Sequence, residues 1–293
     1  MAVIKRTQPD PGRRLSYSQV SHPCGFQLKF HRERAPQGPR GIQLLFGSAV
    51  GAGIEHQVLH HQGADAASYA AIRCLRQEVE LARRPGERPI RWDDPPRITK
   101  KGEFHKRDQA RVPDLGTAER LASLSVRAWV SRFGDLQVID QGVERSLRIA
   151  LRRPAGWEIE CVIDLLPQDG GIVDLKTSDG PWSPERLAEK RGQAWLYQAA
   201  YMQTFGHPPA YFRFHVIPRG ATEVQVLEVP YEPEAINRFL EYQIRPTIQT
   251  IERGVYVPNT NGWHCSPRWC SWWTSCPLGE QAHPAPAGEE AAA

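Results

Sequence analysis

Residues 157–178 read WEIECVIDLLPQDGGIVDLKTS, and no other stretch constrains the fold as strongly. Its two halves are rich in Val, Ile and Leu, and the breakers PQDGG lie between them, so the pattern predicts a β-hairpin. If the turn is centred on this loop, Asp164 faces Asp174 across the two strands. Lys176 then points to the same side as Asp174, because side chains alternate along a strand.

The opposed aspartates indicate a cation site. Two carboxylates on neighbouring strands, with Cβ atoms about 5 Å apart, repel each other unless a cation neutralises them. Both acids follow apolar runs, so we expect them where the sheet enters the core, and an uncompensated charge there is costly. With a divalent cation bound, Lys176 would hold a hydroxide or a phosphoryl oxygen, which describes a hydrolytic metal site. The alternative is that these residues are ordinary solvated side chains at strand ends.

The composition is that of an ordinary soluble globular protein. The 293 residues are 40% hydrophobic and 24% charged, with a net charge of +4, which suits one large domain or two small ones. No apolar run approaches the ~20 residues of a membrane span, and the first residues lack the apolar stretch of a signal peptide. We therefore expect no membrane association and a cytoplasmic location, where six cysteines favour metal ligation or buried thiols over disulfides.

The positive charge is unevenly distributed. Residues 1–40 and 97–111 are basic, and four arginines cluster just before the hairpin. Basic segments beside a cation site suit a polyphosphate such as nucleic acid and disfavour a hydrolase of small phosphate esters. The alternative for any one cluster is a solvated, arginine-rich surface.

The chain is predicted to contain one folded domain over residues 15–278. Residues 1–14 are expected to be flexible, the Pro-rich and charged segment 85–111 to be a mobile insertion, and the low-complexity tail 279–293 to be disordered. Beside the hairpin, the patterns predict an interrupted helix at 15–30, helices at 43–61, 66–84, 115–133, 183–205 and 234–253, and strands at 136–151, 210–217 and 223–229.

The helix after the hairpin has a strong start and a polar stripe. Ser183 is placed to cap it, with Pro and Glu in its first turn. Gln193, Tyr197 and Tyr201 are spaced by four residues and therefore share one face. An amide and aromatic hydroxyls can contact a phosphate or a base. The alternative is a half-buried amphipathic face.

The cysteine-rich segment 263–278 reads WHCSPRWCSWWTSCPL and has the spacing C-x4-C-x5-C, at Cys265, Cys270 and Cys276. Zinc and [4Fe–4S] clusters normally take four protein ligands, and Cys24 is the candidate for the fourth because it too lies beside a proline in a polar turn. Cys74 and Cys161 fall inside a predicted helix and strand and are expected to be core thiols. An iron–sulfur cluster, zinc and unligated thiols all fit the spacing.

Taken together, these residues resemble a known family. The order Asp164, then Asp174-Leu175-Lys176, then Gln193-x3-Tyr197 is similar to the PD-(D/E)XK nuclease superfamily, specifically its RecB-like exonuclease branch. One early cysteine followed by three late ones resembles the iron–sulfur type of that branch, which includes CRISPR-adaptation nucleases, AddB-type subunits and phage recombination exonucleases. The resemblance implies an α/β, restriction-endonuclease-like core with a mixed central β-sheet flanked by helices. It also implies that the cysteine-rich C-terminal segment is tied to the N-terminus.

The resemblance further implies a metal-dependent deoxyribonuclease. Its cofactors would be Mg²⁺ or Mn²⁺ and a [4Fe–4S] cluster, with structural Zn²⁺ as the alternative to the cluster. Its partners would be DNA, single-stranded or with free ends, and recombination or helicase proteins. The implied roles are metal binding by Asp164, Asp174 and the Leu175 carbonyl, orientation of the attacking water by Lys176, DNA positioning by Gln193 and Tyr197, and cluster binding by Cys24, Cys265, Cys270 and Cys276.

Two departures from the family pattern stand out. The branch carries Gly-x3-His in an early helix, with the His as a metal ligand; here Gly47 matches but Gly51 stands at the His position. Glu55, one turn further on, or the adjacent His56 is the expected substitute. The cysteine spacing also differs from the commoner C-x2-C-x5-C. The alternative function is therefore a catalytically inactive nucleic-acid-binding or assembly module with the same fold.

Overall fold

The computed structural model describes residues 13–95, 110–220, 222–262 and 264–279. Most of the predicted flexible start, the centre of the predicted insertion and nearly all of the predicted disordered tail lie outside these ranges. The chain divides into two compact units, which are described separately: unit 1 comprises residues 1–39, 148–160 and 237–293, and unit 2 comprises residues 40–147 and 161–236. That residues 15–278 form one domain stays a prediction.

A mixed β-sheet carries the predicted hairpin. Strand β5 (Glu158–Pro167) pairs antiparallel with β6 (Ile172–Ser178) and also pairs with β4 (Val138–Ala150). Strand β6 pairs in parallel with β7 (Phe212–Pro218), which pairs antiparallel with β8 (Gln225–Glu228). The turn between β5 and β6 contains Gly170 at φ +83°, a left-handed conformation that costs glycine little.

Three helices form the core of unit 2 beside this sheet: α3 (Ile42–His60), α4 (Gly63–Ala82) and α5 (Leu115–Phe133). Gly53 lets α3 approach its neighbours, since a Cβ there would lie 2.7 Å from the Ala67 carbonyl oxygen. One expectation on α4 is wrong. The sequence spacing predicts one apolar stripe of Tyr69, Ile72, Leu75 and Val79 on this helix, but Tyr69 is 64% exposed, because small alanines such as Ala67 and Ala71 fill the buried face.

Helix α6 (Pro184–Phe205) begins and ends as predicted. The Ser183 hydroxyl accepts the Arg186 backbone N–H at 3.3 Å, which satisfies one of the unpaired amides of the first turn. Gly206 ends the helix at φ +81°. Gln193 and Tyr197 lie on its buried face, so the polar stripe points into the interior of unit 2.

Unit 1 contains the first elements of the chain, β1 (Arg14–Ser16), α1 (Tyr17–Val20) and α2 (Gly25–Arg32). Strand β1, which the sequence did not predict, pairs in parallel with the start of β5. The predicted helix at 234–253 is interrupted by a wider π-helical turn before Pro246, because proline has no amide N–H to continue the α-helical pattern. Its parts are α7 (Pro233–Phe239), the π turn Leu240–Ile244 and α8 (Arg245–Arg253).

The cysteine-rich segment is tied to the N-terminal segment within unit 1. Gly38 donates its backbone N–H to the Ser271 carbonyl at 2.7 Å, and Gly25 donates to the Val257 carbonyl at 2.9 Å. The Trp272 indole N–H donates to the Ala35 carbonyl at 3.3 Å. These three bonds join two parts of the chain that are distant in the sequence.

The α/β fold with a mixed central sheet flanked by helices is confirmed. A two-residue parallel ladder, β2 (Arg40–Gly41) with β3 (Ile90–Arg91), was not predicted, since two residues are too few to show alternation. Within the described ranges, no helix combines the length and the hydropathy that crossing a membrane requires.

Candidate functional site

The hairpin brings Asp164 and Asp174 side by side. Leu165 pairs with Val173 in antiparallel register, which places Asp164 opposite Asp174 as predicted. The Leu175 backbone N–H donates to Asp164 Oδ2 at 2.6 Å, so this carboxylate lies against β6. The two acids therefore share one face of the hairpin.

Lys176 places its ammonium among the oxygens of the site. The ammonium contacts Asp174 Oδ1 and lies 3.4 Å from the Leu175 carbonyl oxygen. The Asp174 side chain is 1% exposed and that of Lys176 is 26% exposed. A positive group thus lies between two of the oxygens that the family resemblance predicts as metal ligands.

The electrostatics show an excess of negative charge. Burial raises the pKa of Asp174 to about 7; Lys176 opposes this shift, and the charges of Asp164 and Glu144 add to it. Burial lowers the pKa of Lys176, but the three acids outweigh it and the net shift is upward. A buried group of acids is stabilised by a nearby positive charge. A divalent cation would supply more of that charge than one ammonium does.

Helix α6 holds the Asp174 carboxylate from the other side. Gln193 Nε2 donates to Asp174 Oδ2 at 2.9 Å and lies 3.0 Å from the Tyr197 hydroxyl oxygen. Both α6 side chains are 7% exposed, and burial raises the pKa of Tyr197 well above its ordinary value, so its hydroxyl stays protonated. That Gln193 orients Asp174 was missed in the sequence, and its predicted DNA contact, like that of Tyr197, stays a prediction.

The early helix has room at the position of the family His. A Cβ at Gly47 would lie 3.2 Å from Thr177 Oγ1, so α3 runs close to β6 there. Among the described residues, a Cβ at Gly51 would meet only Glu55 Oε1, at 3.9 Å, an ordinary contact distance. A larger side chain is therefore compatible with α3 at this position.

The two expected substitutes for that His lie in different surroundings. Glu55 is close enough to Cys74 for its charge to contribute to raising the pKa of that thiol, after burial and Glu78. The ring of His56 lies 4.7 Å from that of His60, and its Nε2 is 3.2 Å from Gln62 Oε1. A ligand role for either residue stays a prediction.

Two charged residues near the site were missed in the sequence. The charge of Glu144 on β4 acts on both Asp174 and Lys176. Lys190 on α6 has its pKa lowered by partial burial and then by Lys176. Its position three residues before Gln193 is a helical signal that could have placed it on the same face. No local signal identifies Glu144, because the pairing of β4 with β5 is a tertiary feature.

A second candidate site lies in unit 1, where one pocket is lined by all four predicted cluster cysteines. Its volume is about 310 Å³, counting space open to solvent. The Asn259 backbone N–H donates to Cys24 Sγ at 3.3 Å, and Gln27 Nε2 donates to Cys270 Sγ at 3.6 Å. Burial and then the neighbouring thiols raise the pKa of the other two thiols, Cys265 and Cys276.

Of the remaining cysteines, Cys161 is buried and Cys74 is half-buried against the core of unit 2. Cys161 is 1% exposed, with its Sγ 3.7 Å from the Leu196 carbonyl oxygen. Burial is the largest cause of the rise of the Cys74 pKa to about 11. Neither of these residues lines the pocket formed by the other four cysteines.

The two sites offer different donors. In the parts of the chain that the structure describes, no three His, Cys, Asp or Glu side chains already form a finished metal-ligand group. The hairpin offers carboxylate and carbonyl oxygens, which suit Mg²⁺ or Mn²⁺, and the pocket offers thiols, which suit iron–sulfur clusters or zinc. The chemistry of each donor set therefore fits the group that the resemblance implies.

Comparison with known proteins identifies the class. The sequence matches the model of the PD-(D/E)XK nuclease superfamily over residues 14–277. The chain therefore belongs to this superfamily, whose members are nucleases and thus hydrolases.

A solved structure with a similar fold is the crystal structure of a "Putative exonuclease" from Eubacterium rectale. The TM-score is 0.55 and the sequence identity is 14%, and the alignment covers 90% of this chain and 92% of that chain. At this identity the similarity establishes the fold alone. No curated protein matches the sequence.

Proposed function

We propose that this nuclease is a Mg²⁺- or Mn²⁺-dependent deoxyribonuclease that degrades DNA from free ends during recombination, repair or phage DNA processing. The observation that carries the proposal is the pair Asp164 and Asp174 on one face of the hairpin, with the Lys176 ammonium against Asp174 and the Leu175 carbonyl. Recombination or helicase proteins are the proposed partners.

The residues of the hairpin would hold the metal. Asp164, Asp174 and the Leu175 carbonyl oxygen provide hard oxygen donors. A cation held there would supply positive charge to the scissile phosphate and would lower the pKa of a water molecule. Glu55 or His56 is the ligand predicted from the early helix.

Lys176, Gln193 and Tyr197 would orient the reacting groups and stabilise the charge that develops on the phosphate. The neighbouring acids keep Lys176 charged, so its ammonium can donate a hydrogen bond to a phosphoryl oxygen or to the attacking water. Gln193 holds one oxygen of Asp174 in place. The Tyr197 hydroxyl in turn lies within hydrogen-bond distance of the Gln193 amide. The carboxylate is thereby oriented before the substrate binds.

For the cysteine pocket we propose a [4Fe–4S] cluster held by Cys24, Cys265, Cys270 and Cys276, which would place the chain in the RecB-like iron–sulfur branch. Support comes from the shared pocket and from the N–H groups that donate to two of the sulfurs. Structural Zn²⁺ is the alternative occupant. A cytoplasmic location belongs to this proposal, because the ligands must be reduced thiols.

A second candidate function is a catalytically inactive DNA-binding or assembly module. It is favoured by one observation, the glycine at position 51 where the family carries a metal-binding His. A nuclease assay on linear DNA separates the two functions.

The test is a time course with end-labelled linear DNA, single- and double-stranded, and with closed circular DNA, in Mg²⁺ or Mn²⁺. We expect the native protein to degrade linear DNA, and Asp174→Asn to lose about 10³-fold in rate because the buried carboxylate is removed. The control Asp135→Asn, on an exposed loop, should keep its activity. An inactive native protein, or an active Asp174→Asn variant, would contradict the enzyme proposal. Cleavage of closed circles would contradict the exonuclease part.

A further inference from the structure

We propose that Glu144 supplies a third carboxylate to the cation site and so takes the role of the His that is missing at position 51. This inference rests on the proposed metal-dependent nuclease and deepens it by naming a residue of the site that the family motif does not include.

Strand pairing places Glu144 beside Asp164. At one end of the β4–β5 pair, the Leu151 backbone N–H donates to the Trp157 carbonyl at 2.9 Å. At the other end, a Cβ on Gly142 would lie 3.0 Å from the carbonyl oxygen of Leu166. Nine residues separate these two points on each strand, so neither strand has a net extra residue between them. In that register Glu144 lies opposite Asp164.

The three acids then lie across three neighbouring strands. Asp164 on β5 lies between Glu144 on β4 and Asp174 on β6, and residues opposite each other in a sheet project to the same face. The burial of the surrounding residues agrees with this face. Leu165, next to Asp164 on β5, belongs to the hydrophobic core cluster of unit 2, and Val143, next to Glu144 on β4, packs against it, so the acids face the other side. Glu144 and Asp164 are only partly buried, so a cation could reach them.

The charge of Glu144 acts on two residues of the site. It contributes to the raised pKa values of both Asp174 and Lys176, after larger contributions from burial and from the closer charges. Two independent features, strand register and electrostatic proximity, therefore bring Glu144 to the same group.

The backbone at Glu144 is also unusual. Glu144 has φ +48° and Gln141 has φ +54°, in the left-handed region that non-glycine residues rarely adopt. Such a conformation costs about 1 kcal/mol or more and persists only where the surroundings enforce it. Glu144 is thus held in an uncommon conformation on the strand that pairs with the strand of Asp164.

The test compares Mn²⁺ binding, measured by titration calorimetry without DNA, for the native protein and Glu144→Gln. We expect the dissociation constant to rise about 10-fold or more, by analogy with the loss of groups that support a metal site. Glu144→Asp, which keeps the carboxylate, should recover part of the affinity. Glu223→Gln removes the same charge from an exposed position of unit 2 and should bind Mn²⁺ as the native protein does.

The unfolding midpoint of each variant without metal is the folding control. Removing one of three neighbouring acids should leave the Glu144→Gln midpoint unchanged or raise it, so weaker binding cannot be assigned to unfolding. The proposal is overturned if Glu144→Gln binds Mn²⁺ with native affinity, or if affinity is lost in Glu55→Gln and not in Glu144→Gln. A native protein that binds no Mn²⁺ at all would instead overturn the proposed function.

Discussion

Among individual residues, Asp174 has a side chain that is both buried and bound at each of its two carboxylate oxygens. Its carboxylate is 1% exposed, and a buried charge costs several kcal/mol unless it is paired and hydrogen-bonded. Lys176 contacts one oxygen and Gln193 donates to the other. The opposed pair Asp164 and Asp174 could be predicted from the sequence, because it follows from strand alternation and the length of one turn. The Gln193 bond could not, since it depends on how α6 packs against the sheet.

The orienting role of Gln193 leads to a kinetic prediction. Gln193→Met removes the donor to Asp174 Oδ2 and should lower kcat about 10- to 100-fold, with little change in the KM for DNA. Tyr197→Phe, which leaves the Gln193–Asp174 bond in place, should have a smaller effect. Steady-state kinetics on linear DNA measures both parameters. A variant that raises KM alone would instead support the DNA contact predicted from the sequence.

Among the helices and strands, α5 was predicted with its observed bounds and β1 was not predicted. Helix α5 (Leu115–Phe133) has an apolar period over many residues, and the Asp114 side chain caps it by accepting the Thr117 backbone N–H at 2.7 Å. Strand β1 (Arg14–Ser16) has three residues, too few to show a period. Its pairing with β5 is set by distant parts of the chain, so the local sequence carries little information about it.

Helix α3 allows a matched pair of stability predictions. A Cβ at Gly53 would lie 2.7 Å from the Ala67 carbonyl oxygen and 2.8 Å from Val126 Cγ2, whereas at Gly51 the contact is an ordinary 3.9 Å. Gly53→Ala should therefore destabilise the protein by about 1–3 kcal/mol through overpacking. Gly51→Ala should stabilise it by up to about 1 kcal/mol, because alanine loses less backbone entropy in a helix.

The free energies of unfolding of Gly51→Ala and Gly53→Ala, measured by urea unfolding without metal, test both predictions. Both variants make the same change, glycine to alanine, within one turn of α3. The gain in helix propensity is therefore the same, and any difference in stability reports the packing around each position. Equal midpoints for Gly51→Ala and Gly53→Ala would show that α3 and α4 are not in the close contact that the structure describes.

For the molecule as a whole, a long-range feature within unit 1 is the contact between residues 24–38 and residues 257–276. Cys24 lies just before α2, and the other three pocket cysteines come from the C-terminal segment. Backbone bonds between the same two segments hold them together independently of any ligand. A cluster or a metal ion at the pocket would add four further links between them.

The iron–sulfur cluster proposed for the cysteine pocket leads to a prediction about the colour and the metal content of the protein. Anaerobically purified protein should be brown, with about four iron atoms per chain and a broad visible absorption band. Cys24→Ser and Cys270→Ser should lose both, whereas Cys74→Ser, a change in a core thiol outside the pocket, should keep them. Metal analysis and absorption spectra measure this. Colourless protein with stoichiometric zinc would identify the alternative ligand, and protein without either metal would contradict the proposal.

Features that depend on consecutive residues are specified by the amino-acid sequence alone. The hairpin, the opposed aspartates with Lys176, and the limits of α6 all follow from residue periodicity, turn composition and capping, which act over a few residues. The nearness of Glu144, the bond from Gln193 to Asp174 and the meeting of Cys24 with three distant cysteines required the folded chain. Their free energy comes from contacts between segments far apart in sequence, and no local pattern specifies which segments pack together.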